Sequence, residues 1–143
     1  MTKIALDVEV FLERDLKMNV AIASLLVAGL MPIVCAGIAK AGKKNYDNHN
    51  PREWLAQQTG YRARANAAQG NCFEAFPFYA IGILVAMHAQ VPQERIDIYA
   101  GVFIAARVAY IACYVMDKDK LRSLAWFVGF LCTLGLYSAS LGA

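Results

Sequence analysis

Charged residues are scarce in this chain. They make up 17% of its 143 residues, whereas soluble domains usually carry about 25%. Hydrophobic residues make up 59%. The length suits a single domain, and the sequence shows no internal repeat, no low-complexity tract and no second domain. This composition excludes an ordinary soluble domain, so the arrangement of the apolar residues decides the fold.

Metal-binding and disulfide motifs are missing as well. The four cysteines form no CxxC pair and do not have the spacing of a metal site. Each lies in a long apolar run, where a disulfide is not expected. We therefore interpret all four as small packing residues. They are Cys35, Cys72, Cys113 and Cys132.

Four apolar runs are each long enough to cross a membrane. A helix needs about 20 residues to span the hydrocarbon core. Backbone polar groups in lipid must be satisfied within the segment, which favours helices over isolated strands. The predicted spans are residues 18–39, 65–89, 96–116 and 123–143. The sequence therefore predicts an all-α integral membrane protein, a bundle of four transmembrane helices.

Two segments lie outside these spans. Residues 1–17 contain four carboxylates, which do not suit a cleavable signal peptide. We expect this segment to be either an interfacial helix, because its apolar side chains roughly share a face, or a tail. Residues 40–64 are expected to be a cytoplasmic loop. Its part from Asp47 to Arg52 is rich in turn-forming residues. We interpret this part as a turn in which Asp47 or Arg52 caps a helix end. The alternative is a lid over a polar site.

The basic residues are distributed unevenly. The two loops that would share one side of the membrane carry, with their flanks, nine Lys or Arg residues, and the opposite side carries four. The positive-inside rule places the more basic loops in the cytoplasm. Both termini are then predicted to lie on the non-cytoplasmic side.

Ionisable residues within the spans are the first functional candidates, because they are costly in lipid. On the second span, and again on the third, polar residues fall at steps of three or four and so share one helical face. The polar residues predicted to gather at one end of the bundle are Arg64, Asn71, Glu74, Arg107, Tyr110, Tyr114 and Arg122. This set suits a small ligand that carries carboxylates and an amine, and the lipid-facing side could admit an apolar second substrate.

Structural roles could explain the same residues without a ligand. Glu74 and Arg107 could form an ion pair that specifies the fold. Asn71 could hydrogen-bond between helices, a common use of Asn in membranes. The tyrosines could be packing residues, and Arg122 could be a basic anchor at the membrane surface. Both interpretations stay open at this point.

A series of motifs runs in order along the chain. Their sequences are YDNHNPR at 46–52, RARA at 62–65, NCFEAFP at 71–77, ARxxYxxxY at 106–114 and RSLAWFVGF at 122–130. Together they resemble bacterial members of the MAPEG family, the membrane-associated proteins in eicosanoid and glutathione metabolism. The resemblance extends from Met18 to Gly142.

The resemblance implies a left-handed four-helix bundle that forms a homotrimer in a bacterial inner membrane. It also implies glutathione sites between neighbouring subunits near the cytoplasmic face. By position, the residues that would bind glutathione are Arg64, Asn71, Glu74, Arg107, Tyr110 and Tyr114. Glu74 would contact the amino group. Arg122 would act in catalysis by stabilising the thiolate, which is the nucleophile.

One position departs from the family pattern. Many members that bind glutathione carry an arginine one turn before the asparagine of the second span. Here that position is Ala67, and the nearest arginine, Arg64, lies two turns before Asn71. Lys40 is the best candidate for the basic residue expected at the end of the first helix.

The resemblance implies a glutathione-dependent transferase or peroxidase that acts on lipophilic electrophiles, in contact with membrane lipids and without a nucleic-acid partner or a metal. A non-catalytic lipid-binding protein of the same fold is one alternative. A small proton-coupled multidrug exporter is another. The long polar first loop and the shallow arginines argue against the exporter, because they suit an anion better than a cationic drug.

Overall fold

The computed structural model describes residues 20–42 and 44–143, and these residues form five helices and no strand. The helices are α1 (Val20–Lys40), α2 (Pro51–Ala56), α3 (Gly60–His88), α4 (Gln93–Val115) and α5 (Asp119–Leu141). All four long helices have the length and hydropathy of membrane spans. The predicted all-α membrane fold is confirmed, and the chain is an integral multi-pass membrane protein. The segment 1–17 lies outside the described residues.

The helices extend beyond the apolar runs at the end of the bundle that carries the basic loops. Helix α3 begins at Gly60 instead of residue 65, and α5 begins at Asp119 instead of residue 123. The stretch 40–64 contains the short helix α2, whose first residue is Pro51. Proline suits that position, because the first helical N–H has no partner within the helix. Hydropathy marks the apolar middle of a helix but not its polar ends.

Asp47 organises the turn that precedes α2. Its Oδ1 accepts hydrogen bonds from the backbone N–H of His49 at 2.8 Å and of Asn50 at 3.3 Å, and its Oδ2 accepts one from the Asn50 side-chain amide at 3.3 Å. These hydrogen bonds, of which the one from His49 has the largest effect, hold the pKa of the Asp47 carboxyl below its ordinary value. Asn50 occupies the N-cap position of α2. Asp47 therefore stabilises the turn and does not cap the helix itself.

Helices α3 and α4 form the centre of the bundle. They pack against each other, and each packs against α1 and α5, whereas α1 and α5 share no extensive contact. At one end of the core the ring of Tyr79 stacks on that of Phe103, with centroids 3.6 Å apart. The Tyr79 hydroxyl also hydrogen-bonds with that of Ser24. A second core cluster, which includes Cys35 and Cys72, lies toward the basic loops.

The outer surface of the bundle is largely apolar. On α1, Leu26 and Ile33 are about two-thirds exposed, at 67% and 65%, and on α5 Leu124 is 60% exposed. Soluble monomers rarely expose large contiguous apolar patches. These faces are consistent with contact to lipid.

Gly135 allows a close contact between α5 and α4. A Cβ at this position would lie only 2.5 Å from Cε1 and 2.7 Å from Cζ of Tyr99. The ring of Tyr99 therefore lies directly against the backbone of α5. By contrast, a Cβ at Gly101 would meet no atom within 4 Å.

We expect Gly135→Ala to destabilise the protein by about 1–3 kcal/mol, because overpacking forces the ring or the helix to move. Gly101→Ala is the matched control. It should leave stability unchanged or raise it by up to about 1 kcal/mol, because alanine favours helix. Thermal unfolding of the two variants in detergent, followed by tryptophan fluorescence, checks this. Equal midpoints for both variants would contradict the contact.

Candidate functional site

A cavity of about 190 Å³ opens between α3, α4 and α5. Asn71, Glu74 and Arg107 form its polar wall. The remaining lining residues are mostly aromatic or small: Ala75, Phe78, Phe103, Trp126, Gly129, Phe130 and Thr133. The cavity thus places one cation, one carboxylate and one amide opposite an aromatic surface.

Arg107 is the central group of the polar wall. Its side chain belongs to a residue that is only 3% exposed. Nη1 donates to Oδ1 of Asn71 at 2.9 Å, and Nη2 donates to Sγ of Cys72 at 3.4 Å. The amide of Asn71 in turn donates to Oε2 of Glu74 at 3.3 Å. Asn71 therefore lies between the cation and the carboxylate and bonds to both.

The ion pair between Glu74 and Arg107 that the sequence allowed is not formed. In the described part of the chain, no carboxylate oxygen lies within 4.0 Å of the Arg107 guanidinium. A guanidinium stays charged in proteins, and burying a charge without a partner is costly. An ionisable residue inside a membrane bundle is by default a functional group. Arg107 is therefore the leading candidate for a ligand-binding residue of the cavity.

Two cation–π contacts, joined by a contact between their rings, connect Arg107 to the start of α5. Arg107 lies over the ring of Tyr110, 4.4 Å from its centroid, and Tyr110 meets Tyr114 edge-on at 5.6 Å. Arg122 lies over the ring of Tyr114 at 4.4 Å. Such cation–π contacts contribute about 0.5–2 kcal/mol each. Together they hold both guanidinium groups at the same end of the bundle.

Arg64 is positioned differently. Its Nε and Nη2 donate to the backbone oxygen of Val115 at 3.2 and 3.0 Å, and its Nη1 lies 3.4 Å from Oδ2 of Asp117. The guanidinium thus binds the C-terminal end of α4 and does not line the cavity. Ala67 is exposed on α3. Lys40 lies over the ring of Tyr46, 4.5 Å from its centroid, outside the cavity.

The sequence model of the MAPEG family matches residues 20–142, which include every described helix. The chain belongs to the MAPEG family. The resemblance inferred from its motifs is confirmed. Neither the curated proteins nor the solved structures give a significant match. MAPEG members use glutathione, and the family includes transferases, peroxidases and non-catalytic members.

Several residues of this MAPEG cavity were not singled out from the sequence. Trp126, Phe130 and Thr133 line it from α5. Their spacing of four and three residues places them on one helical face, a signal that the apolar composition of the run concealed. Cys72 was interpreted as a packing residue, yet its sulfur accepts a hydrogen bond from Arg107. No sequence signal pairs Cys72 with a residue of another span.

We expect Arg107→Met to leave the stability of the ligand-free MAPEG protein within about 1 kcal/mol of the wild type, or to raise it, because removing a buried unpaired cation offsets the lost hydrogen bonds. Thermal unfolding in detergent measures this. Arg95→Met, at an exposed position on the same helix, is the control and should be neutral. A loss of several kcal/mol in Arg107→Met alone would make Arg107 a structural residue.

Proposed function

We propose that this MAPEG protein is a membrane-bound glutathione-dependent transferase or peroxidase that acts on lipophilic electrophiles. The proposal is based mainly on the burial and the hydrogen-bond partners of Arg107. Its guanidinium is buried, and no carboxylate among residues 20–42 and 44–143 pairs with it. It faces, with Asn71 and Glu74, a cavity whose other walls are largely aromatic. A polar peptide and an apolar reactant would each find a matching surface there.

The polar wall fits the charged groups of glutathione. Arg107 would bind a carboxylate, because a guanidinium pairs with carboxylates through two parallel hydrogen bonds. Glu74, which is exposed, would bind the ammonium group. Asn71 already hydrogen-bonds to both residues and would hold their side chains in fixed positions relative to each other. Arg64 would join the site only by releasing Asp117, so we assign carboxylate binding mainly to Arg107.

Arg122 would stabilise the reacting sulfur. Glutathione supplies a thiol, and its deprotonated form is the nucleophile. The Arg122 guanidinium is permanently charged and is held on the Tyr114 ring, at the end of the bundle that Arg107 also faces. Attack of the thiolate on a carbon that carries a leaving group would form a thioether and release that group, for example as halide. Attack on the terminal oxygen of a hydroperoxide would break the O–O bond, release the alcohol and leave a sulfenic acid, which a second glutathione would convert to a disulfide and water. Tyr110 and Tyr114 would hold the two arginines in place.

The size of the cavity supports a site shared between subunits. At about 190 Å³ it is smaller than the roughly 300–1,000 Å³ typical of small-molecule sites. A tripeptide would not fit within one chain. We therefore propose that a neighbouring subunit completes the site in a homotrimer, as the resemblance implies. With the two basic loops in the cytoplasm of a bacterial cell, as predicted, glutathione would enter from that side.

A lipid-binding, non-catalytic protein is the second candidate. It is favoured by a groove of about 550 Å³ between α1 and α4. The residues along the groove are all apolar: Val27, Leu30, Met31, Val34, Ile38, Val108, Ile111, Ala112, Val115 and Met116. A multidrug exporter is less favoured, because the amide that binds Glu74 also binds the Arg107 cation, and that positive charge would repel a cationic drug.

Millimolar glutathione should raise the unfolding midpoint of the wild-type protein in detergent, because a ligand that binds only the folded state stabilises it in proportion to the logarithm of its concentration. Arg107→Met should lose this shift and Arg95→Met should retain it. Differential scanning fluorimetry over a glutathione titration gives the result. No shift in the wild type would overturn the transferase and leave the lipid-binding candidate.

Arg122→Ala should lower the rate of glutathione conjugation to an aryl halide by about 10²-fold, the usual effect of removing one group that stabilises a developing charge. The thermal shift with glutathione should persist, because Arg122 acts on the sulfur and not on the peptide backbone. Lys120→Ala, at an exposed position two residues earlier on the same helix, is the control. Unchanged turnover in Arg122→Ala would refute its role.

A further inference from the structure

Two buried thiols meet beneath the polar wall of the cavity. Cys35 on α1 is 0% exposed and Cys72 on α3 is 3% exposed. Both belong to one small cluster of buried side chains between the helices. The two residues are far apart in the sequence and come together only because α1 packs on α3.

The surroundings distinguish this pair from the other two cysteines. The Cys72 sulfur also accepts a hydrogen bond from Nη2 of Arg107 at 3.4 Å. A cation beside a sulfur favours the thiolate, which is the reactive form. All four cysteines are free thiols, but Cys132 lies in a different core cluster and Cys113 is only partly buried. Cys72 thus has a neighbouring cation and a second thiol in its own cluster.

We propose that Cys35 and Cys72 form an oxidisable pair that hydroperoxides convert to a disulfide joining α1 to α3. Two thiols can form an S–S bond when their Cβ atoms come within about 3.5–4.5 Å of each other, and the two helices that carry Cys35 and Cys72 pack extensively against each other. The helix faces that meet here carry small buried residues, including Ala39 and Ala68. Small residues allow membrane helices to approach closely.

The reaction has two balanced steps. The Cys72 thiolate attacks the terminal oxygen of the hydroperoxide, the O–O bond breaks, and the alcohol leaves with one proton. This gives a sulfenic acid on Cys72. The Cys35 thiol then attacks the Cys72 sulfur, forming the S–S bond and releasing water. Two thiols lose two electrons in total, and the hydroperoxide gains them.

Oxidation would change the site as well as the packing. Arg107 donates to the Cys72 sulfur in the reduced protein. In the disulfide that sulfur is bonded to the Cys35 sulfur, so the acceptor that Arg107 uses there changes while its bond to Asn71 remains. The redox state of the pair is therefore transmitted to the residue that faces the cavity. This inference does not depend on glutathione as substrate, because no step in it uses glutathione.

The test uses purified wild-type protein in detergent without glutathione. The protein is treated with hydrogen peroxide, denatured in excess N-ethylmaleimide, and digested for mass spectrometry. We expect a linked peptide pair containing Cys35 and Cys72, lighter than the two peptides by two hydrogen atoms and lost on treatment with dithiothreitol. Cys113 and Cys132 should remain alkylated. Alkylation of all four cysteines to the same extent after peroxide would overturn the proposal.

Two variants test the assigned order of events. Cys35→Ser should leave the Cys72 sulfenic acid unresolved, so that dimedone labels Cys72 after peroxide treatment. Arg107→Met should slow disulfide formation by about tenfold, because less of the Cys72 sulfur is present as thiolate. Dimedone on Cys35 instead, or an unchanged rate in Arg107→Met, would overturn the role given to Cys72. The wild-type result stands even if a variant fails to fold.

Discussion

The hydrogen bonds of the Arg107 guanidinium organise the centre of this protein. A cation among membrane helices is rare and usually pairs with another residue. Here it contacts an amide, a thiol and an aromatic face. Its hydrogen bonds run from α4 to two residues of α3. Because none of the acceptors is a carboxylate, the positive charge remains available to a ligand.

The sequence was sufficient for the parts of the structure that depend on composition and local periodicity. Long apolar runs identified the four long helices, because a span must be predominantly apolar. Steps of three and four residues put Asn71 with Glu74 on one face, and Arg107 with Tyr110 on another. The family motifs suggested glutathione as the ligand. The helices and their faces follow from information that each helix carries by itself.

Information that depends on two helices was out of reach. The contact between Cys35 and Cys72 requires the register of α1 against α3, and the binding of Arg64 to Val115 and Asp117 requires knowing where α4 ends. From charge alone, an ion pair between Glu74 and Arg107 was one of two open interpretations. The amide of Asn71 lies between them instead, because it sits one turn before Glu74 and can bond to both.

The two walls of the cavity come from different parts of the chain. The polar wall is built by α3 and α4, whereas α5 supplies Trp126, Phe130 and Thr133. Substitutions on α5 could therefore reshape the apolar surface while the hydrogen bonds of Asn71 and Arg107 are left intact. Such a division lets related proteins diverge in the lipophiles they accept at little risk to the polar half. A lineage could acquire a new hydrophobic partner through changes in one helix.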